Sequence, residues 1–169
     1  MPHIETRRGT GDWAYKIFSP DTPDTELSGV GSFKRLWDSK RKGDALRAWR
    51  DFELSDFTGW YGWLAVEDIL DSVSYESEFR LWGTKMAEMF GVDPTRKRFS
   101  ECIGTLYDYD ETAFWDEMRN THNFIISTGT IDWFPNYHHY NAKPYTYITL
   151  PLADDGRNVD KYLSALHIY

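Results

Sequence analysis

Residues 145–169, YTYITLPLADDGRNVDKYLSALHIY, predict two strands joined by a turn, and this pair decides the fold class. The first half alternates tyrosine and threonine with aliphatic residues, which is the period of a strand. Asp155-Gly156 supplies the positive backbone angles that a tight hairpin needs. A hairpin joins antiparallel strands, so the stretch predicts an antiparallel sheet and not a βαβ fold.

Two further strands lie upstream, in WLAVEDIL (63–70) and YESEFRLWG (75–83). In the second, Phe79 and Leu81 are predicted to share one buried face, with Glu78 and Arg80 on the other. The turn at 71–74 makes the two strands an antiparallel pair. A fifth strand is expected from residue 124 onward.

Helical patterns precede the first strand pair and separate it from the last three strands. A helix is predicted from Phe33, a short one around Met86 and Met89 that Gly91 ends, and a longer one from Thr112 to about His122. The order predicts an α+β fold: a five-stranded antiparallel sheet with helices packed on one face, plus an N-terminal helix and arm.

The chain divides into an arm and one domain. Residues 1–31 are rich in Gly, Pro, Thr and Asp and predict a partly irregular arm with one strand-like segment at 13–18. Aromatic residues in such an arm are expected to dock on their own domain or on a neighbouring subunit. Residues 32–169 form the predicted domain.

The charge balance limits the class of partner. The 169 residues include 19 basic and 27 acidic ones, a net charge of −8, which argues against nucleic acid and acidic membranes. Between Lys34 and Arg50, however, seven residues are basic and two are acidic. This basic segment is either a solvated face or a docking surface for an acidic protein partner.

Other sequence features concern location and cross-linking. One cysteine, Cys102, excludes an internal disulfide framework and a cysteine-rich zinc site. The start of the chain has no apolar leader, and no window of about eighteen apolar residues occurs. We therefore expect a cytoplasmic protein.

Two stretches resemble the PAS superfamily: FRLWGTKMAEMFGVDPTRKRFSE (79–101) and YITLPLADDGRNVDKYLSAL (147–166). The likeness is greatest to the branch of short, stand-alone PAS-like proteins of proteobacteria, and it runs from about Phe33 to Tyr169. Members often have Thr-Gly-Lys-Arg where this chain has TRKR at 95–98. Arg96 in place of glycine predicts a loop that needs no positive backbone angle there.

The resemblance implies a sensory or interaction module in signal transduction, whose sheet and helices enclose a small cavity. PAS domains end on their central sheet, and linked ones pass a signal through the segment after the last strand. Because this chain ends on the hairpin at Tyr169, we expect its output to pass through a partner, dimer exchange, or the N-terminal arm and basic segment.

The predicted ligand-binding residues are those expected to converge between the sheet and the helices. Their side chains either fill a core or line a cavity for a small apolar or aromatic ligand, with methionines that repack readily. The set is Phe79, Leu81, Met86, Met89, Phe90, Trp115, Met118, His122 and Ile148.

Cofactor, metal and catalytic hypotheses are weaker than ligand binding. His122 falls where haem-binding PAS members place an iron ligand, but a histidine beside apolar residues is more often a hydrogen-bonded core residue. Cys102 lacks the Asn-Cys-Arg context of flavin-binding relatives. His138-His139, with Asp132 upstream, would hold a metal only from an irregular loop. A small α+β enzyme using His122 with a nearby carboxylate is the alternative function; we expect no catalysis.

Self-association is the last hypothesis. Trp63, Tyr145 and Tyr147 are predicted on the second sheet face, where large rings need cover. The helix at 33–42, from the same chain or from a second subunit, is the expected cover. A homodimer is therefore predicted, and a purely structural dimerisation module is a further alternative.

Overall fold

The computed structural model of the protein describes residues 14–71, 73, 76–102, 112–130 (side chains from Trp115 onward) and 143–169. These contain three α-helices, four short 3₁₀ helices and six strands. The α-helices are α1 (Gly31–Ser39), α2 (Thr84–Phe90) and α3 (Thr112–Thr121). The strands are β1 (Ala14–Phe18), β2 (Leu64–Ile69), β3 (Ser77–Trp82), β4 (Phe124–Thr130), β5 (Pro144–Leu152) and β6 (Lys161–Ile168). The α+β class is confirmed.

The six strands form one open sheet in the order β1-β4-β5-β6-β2-β3. Every neighbouring pair is antiparallel, as the hairpin pattern predicts. The last strand of the chain, β6, lies inside the sheet between β5 and β2. The loop from β5 to β6 is longer than a two-residue turn, and Gly156 has the positive φ that was expected.

The predicted count of five strands was wrong because β1 joins the sheet as a sixth. Ala14–Phe18 pairs with β4, and the alternate side chains of Tyr15 and Ile17 are buried. The ring of Phe18 stacks on that of Phe124 at 5.4 Å between centroids. The strand-like segment of the predicted arm is therefore built into the sheet.

Helices cover both faces of the sheet: α2 and α3 lie on one face, and the predicted N-terminal helix, α1, covers the other. We call the face under α2 and α3 the inner face, and the face under α1 the outer face. Two single-turn 3₁₀ helices, Trp49–Asp51 and Leu54–Phe57, complete the outer layer. Phe33 and Trp37 of α1 are fully buried there. Since aliphatic strand residues occur on both sides, both faces need cover.

A β-bulge separates two residues that were predicted to share a face. Val66 pairs with Leu81, but Glu67 pairs with Phe79, so Arg80 has no residue opposite it on β2. Phe79 consequently packs in the inner cluster and Leu81 against the outer one. The extra residue reverses the alternation, which a strict two-residue period cannot predict.

The alternation along β5 was predicted correctly, but its two sides were assigned to the wrong faces. Ile148 and Leu150 pack in the outer cluster, beneath α1. Tyr145 and Tyr147 belong to the inner cluster, with Trp63. The rings that were expected to be covered by the helix at 33–42, from the same chain or from a second subunit, thus pack in the inner cluster of their own chain. The homodimer stays a prediction, without that support.

The loop after α2 corrects the expectation about Arg96. Gly91 ends α2 in a left-handed conformation as predicted, but Arg96 is also left-handed, with φ of 64°. This residue turns the loop back onto β3, where the Arg96 amide donates to the Phe79 carbonyl at 2.7 Å. The Phe79 amide in turn donates to the Lys97 carbonyl at 3.1 Å. The position therefore favours the glycine that PAS-like proteins often carry.

We expect Arg96→Gly to raise the free energy of unfolding by about 0.5–1 kcal/mol. A left-handed residue other than glycine costs about 1–2 kcal/mol, and the greater freedom of glycine in the unfolded chain offsets part of the gain. Urea denaturation measures the change. Lys97→Gly, next to it and without a positive φ, is the control and should destabilise the protein. A loss of stability in both variants would contradict the prediction.

Candidate ligand-binding site on the inner face

The inner face of the sheet differs chemically from the outer face. The strand residues beneath α1 are mainly aliphatic, such as Leu64, Val66 and Leu163. The inner side carries most of the buried polar strand residues, and they lie among aromatic rings. By strand alternation, these polar residues are Glu67, Ser77, Ser127, Thr149 and Ser164.

Glu67 is the buried acidic group of this face. It lies on β2, is 4 % exposed, and accepts a hydrogen bond from Ser77 Oγ to its Oε2 at 2.8 Å. In the strand register Glu67 lies between Phe79 on β3 and Tyr162 on β6. Direct cross-strand neighbours have Cβ atoms about 4.5–5.5 Å apart. The carboxylate is therefore flanked by two aromatic residues.

Hydroxyl groups on β6 and β5 extend the row of buried polar residues beyond Glu67. We call this row, from Ser77 and Glu67 to Ser164 and Thr149, the polar stripe. Ser164 Oγ lies 3.4 Å from Thr149 Oγ1, and Ser164 also hydrogen-bonds Tyr147. Burial raises the pKa of Tyr147 above its usual range, the charge of Glu67 raises it further, and the hydrogen bond with Ser164 opposes both effects. Tyr147 is thus a neutral phenol in the folded protein.

Aromatic rings from the sheet and from the helical elements on its inner face meet above this stripe. The ring centroids of Phe79 and Phe99 lie 6.1 Å apart, and those of Phe99 and Trp115 lie 6.4 Å apart in an edge-on contact. Trp115 of α3 stacks on Tyr162 of β6 at 4.7 Å. Met86, Met89 and Met118 are fully buried in the same cluster.

Trp82 provides a hydrogen-bond donor that no described group accepts. Its side chain is 7 % exposed and makes edge contacts with Phe79 and Phe90. The buried Nε1 has no hydrogen-bond partner among the described residues. Leaving such a donor unsatisfied costs about 1–3 kcal/mol. An acceptor on a bound molecule would recover that energy.

The structure brings together six of the nine predicted site residues. Leu81 and Ile148 lie on the outer face, because of the bulge in β3 and the reversed faces of β5, and His122 lies at the end of α3. The six that meet in the inner cluster are Phe79, Met86, Met89, Phe90, Trp115 and Met118.

His122 has a structural contact instead of a place in that cluster. It is half-exposed, follows α3 with φ of 59°, and its Nε2 donates to the Arg157 carbonyl at 2.7 Å. The ring thus ties the end of α3 to the loop between β5 and β6. With Nε2 engaged in this way, the contact favours neither iron ligation nor acid–base catalysis.

The metal hypothesis has no support among the described residues. No group of three His, Cys, Asp or Glu side chains in the described part of the chain is arranged to hold an ion. Asp132, His138 and His139 lie outside the described residues. Cys102 is half-buried, and its thiol donates to the Arg98 carbonyl at 3.0 Å.

Sequence reasoning missed the polar half of the site. Glu67 and Ser77 were overlooked, and Tyr147 was assigned to the opposite face. A signal was present, because Glu67 interrupts the apolar run WLAV. A charged residue inside such a run indicates either a solvent-facing position or a buried polar site, and the two look alike in one sequence.

The basic segment between Lys34 and Arg50 is neutralised within the chain. Arg50 donates to the Asp154 carbonyl, and the other six basic side chains form ion pairs with acidic residues. The pairs are Arg35–Asp24, Lys40–Asp56, Arg41–Asp21, Lys42–Asp51 and, sharing one carboxylate, Lys34–Asp38 and Arg47–Asp38. These contacts favour a role in holding the outer layer over docking of an acidic partner.

A surface cleft of about 490 Å³ lies elsewhere, at the β1 side of the outer face. Phe18, Leu27 and Ile126 are among its walls, and the exposed Lys16 and Glu26 also border it. Tyr169 closes one end, where its hydroxyl donates to Ser28 Oγ at 3.0 Å. The cleft is open to solvent and does not contact the inner cluster's polar stripe.

No family model, curated protein or solved structure matches this chain. Among the described helices, none has the length and apolar character required to cross a membrane. The residues of the inner face are therefore the basis for assigning a function.

Proposed function

We propose that this protein is a PAS-like regulatory binding module of the cytoplasm. It takes a small molecule between the inner face of the sheet and helices α2 and α3. It passes the binding event to a protein partner or to a second copy of itself. The homodimer predicted from the sequence is part of this proposal.

The main support for ligand binding is the contrast between the two faces of the sheet. The strand residues of the outer face are mainly aliphatic, and rings from the covering helices pack on them. The inner face instead buries a carboxylate, several hydroxyls and the unsatisfied Nε1 of Trp82 among aromatic rings. A few placed polar groups in an apolar surround are typical of small-molecule sites.

The chain topology supports the PAS-like part of the proposal. A strand pair, a helical excursion and three further strands succeed each other in the chain. The last strand is part of the sheet, which agrees with the resemblance, since PAS domains end on their central sheet. The left-handed Arg96 stands where PAS-like proteins often have glycine, which is the residue that this conformation favours.

Native mass spectrometry of the gently purified protein tests the proposal. We expect a mass above that of the 19.9 kDa chain, from a retained small molecule that denaturation releases. The same spectrum reports the number of subunits. A bare chain mass, together with no thermal stabilisation by any member of a small-molecule library, would overturn ligand binding.

The variant Trp82→Phe tests whether a retained molecule binds at the inner face. The variant keeps a ring but removes the Nε1 donor, so we expect about tenfold weaker binding of the retained molecule. Trp60→Phe is the matched control, since Trp60 packs against Phe33 on the outer side. Equal affinities in the two variants would place the molecule elsewhere.

A further inference from the structure

The surface cleft at the β1 side of the outer face is a second candidate site, separate from the inner face. Its volume of about 490 Å³ is in the range of small-molecule pockets. Two neighbouring cross-strand rows lie beneath it: Lys16 opposite Ile126, and Ala14, Thr128 and Thr146 side by side on β1, β4 and β5. None of its described lining residues belongs to α1, so that helix leaves this end of the outer face open.

One wall of the cleft, residues 26–30, is fixed before any ligand binds. Gly29 has φ of 76°, a conformation that favours glycine. An added Cβ there would come within 2.5 Å of the His167 ring and 2.9 Å of the Tyr169 hydroxyl oxygen. The wall therefore packs directly on the end of β6, and a preorganised wall lowers the cost of ordering the site on binding.

Three hydroxyl groups join this wall to the sheet in one chain. The Thr146 and Tyr169 hydroxyls lie 3.0 Å apart, and Tyr169 donates to Ser28 Oγ, also at 3.0 Å. Because the Tyr169 proton is used on Ser28, Thr146 is the donor to Tyr169. The proton of the Ser28 hydroxyl then has no acceptor among the described residues. Ser28 is exposed and borders the cleft, so it offers a hydrogen-bond donor to a ligand.

Two opposite charges also border the cleft. Lys16 of β1 and Glu26 of the wall are both exposed. Neither forms an ion pair, with the other or with a further residue in the described part of the chain. The basic segment between Lys34 and Arg50 differs, because its charges are neutralised by neighbouring carboxylates. A ligand in the cleft therefore meets one available cation and one available anion.

We propose that this cleft binds a free amino acid with a large apolar side chain, its carboxylate at Lys16 and Ser28 and its ammonium group at Glu26. The apolar side chain lies against Phe18 and Ile126. An anion alone would bring its charge toward Glu26, and a cation alone would bring its charge toward Lys16. A zwitterion forms charge-assisted hydrogen bonds with both. The inference goes beyond the proposed function, since it concerns the opposite face of the sheet.

Isothermal titration of the full chain with L-phenylalanine, phenethylamine and 3-phenylpropionate tests the ligand class. Phenethylamine lacks the carboxylate of phenylalanine and 3-phenylpropionate lacks its ammonium group, while all three carry the same ring. An ion pair at an exposed site is worth up to about fivefold in affinity, so we expect phenylalanine to bind about fivefold more tightly than either analogue. Equal binding of the three compounds, or no binding of phenylalanine at millimolar concentration, would overturn the inference.

Lys16→Gln and Glu26→Gln test the roles of the two charges. Both side chains are exposed, so neither change should disturb folding. Lys16→Gln should remove most of the preference over phenethylamine and keep the preference over 3-phenylpropionate, and Glu26→Gln should do the reverse. Lys85→Gln and Glu88→Gln, which break an exposed pair on α2, are the matched controls and should leave both preferences unchanged. If the cleft variants match these controls, the inference is overturned.

Thr128→Phe tests whether phenylalanine binds in the cleft. Thr128 is exposed on β4 and lies beneath the cleft, so a larger ring there should fill the space while the strand tolerates it. We expect binding of all three compounds to be lost and the melting temperature to stay nearly unchanged. Undiminished binding would place the amino acid elsewhere and overturn the inference.

This inference and the proposed function can fail separately, because the two sites lie on opposite faces of the sheet. If phenylalanine does not bind, the amino-acid inference falls and the inner-face module stands. If its binding is weakened by Trp82→Phe and not by Thr128→Phe, the amino acid binds at the inner face and the cleft inference is overturned.

Discussion

Asp38→Ala is expected to lower the free energy of unfolding by about 3 kcal/mol, because it leaves two buried cations without their carboxylate. Lys34 Nζ lies 2.6 Å from Asp38 Oδ2, and an Arg47 NH2 group lies 3.4 Å from Asp38 Oδ1. Lys34 is 1 % exposed and Arg47 is 3 % exposed. Asp38 itself is partly open to solvent, which keeps the expected loss at the lower end of the range for buried pairs.

The surroundings of the two cations explain why the sequence tolerates burying them. Lys34 Nζ also donates to the Thr22 carbonyl at 3.1 Å. Arg47 Nε donates to the Trp37 carbonyl at 2.9 Å, and the guanidinium lies 3.6 Å from the centre of the Trp37 ring. Burial lowers the pKa of Arg47 to about 10, and the charge of Asp38 opposes that shift. The Asp38→Ala change therefore removes the carboxylate whose charge offsets the effect of burial on the Arg47 guanidinium.

Asp24→Ala is the matched control for this prediction. It breaks the Arg35–Asp24 pair next to the same helix, in which the Arg35 side chain is 71 % exposed. Exposed pairs contribute about 0–1 kcal/mol, so the control should lose little stability. Chemical denaturation of both variants gives the comparison. Equal losses would show that Asp38 does not act through the buried cations.

Gly83→Ala is expected to destabilise the protein by a similar amount, about 3 kcal/mol, through a steric clash with the backbone. Gly83 precedes α2, and its amide donates to the Leu64 carbonyl at 2.8 Å. An added Cβ would overlap with the Gly62 carbonyl and lie 2.8 Å from the Trp63 amide nitrogen. Because these are backbone atoms, no side-chain rotation relieves the contact.

The same clash should affect the candidate site. Moving Gly83 away from β2 displaces α2, which places Met86, Met89 and Phe90 against the inner face. We therefore expect Gly83→Ala to weaken ligand binding as well as stability. Gly43→Ala is the control, since an added Cβ meets no atom there and the cost is that of the positive φ alone, about 1 kcal/mol. A thermal melt in which both variants match would contradict the clash.

Local patterns predicted most of the elements correctly. The alternation in β5 and β6 with the Asp155-Gly156 turn predicted the antiparallel pair, and Gly91 predicted the end of α2. These signals are local, because a strand period or a helix end depends on residues within a few positions of each other. Strand-like character at 13–18 was recognised too, but its pairing with β4 joins residues far apart in the chain.

The candidate site was predicted in part. Its methionine and aromatic wall came from the spacing on α2 and α3, and those residues do meet. Glu67 was missed because its role depends on lying between β3 and β6, which no local pattern indicates. Leu81 was misplaced by the bulge at Arg80, one extra residue that arises from pairing with β2.

The sequence alone determined the α+β class, the antiparallel pairing, the helix positions and the division of each regular strand into two sides. Tertiary structure alone decided which side faces which helix layer, where Ile148 and Tyr147 exchanged their expected places. The physical reason is that alternation is a property of one strand, whereas the identity of a face is set by the helix that covers it. That contact forms between distant segments, and it brings the rings of α2 and α3 onto the inner face of the sheet.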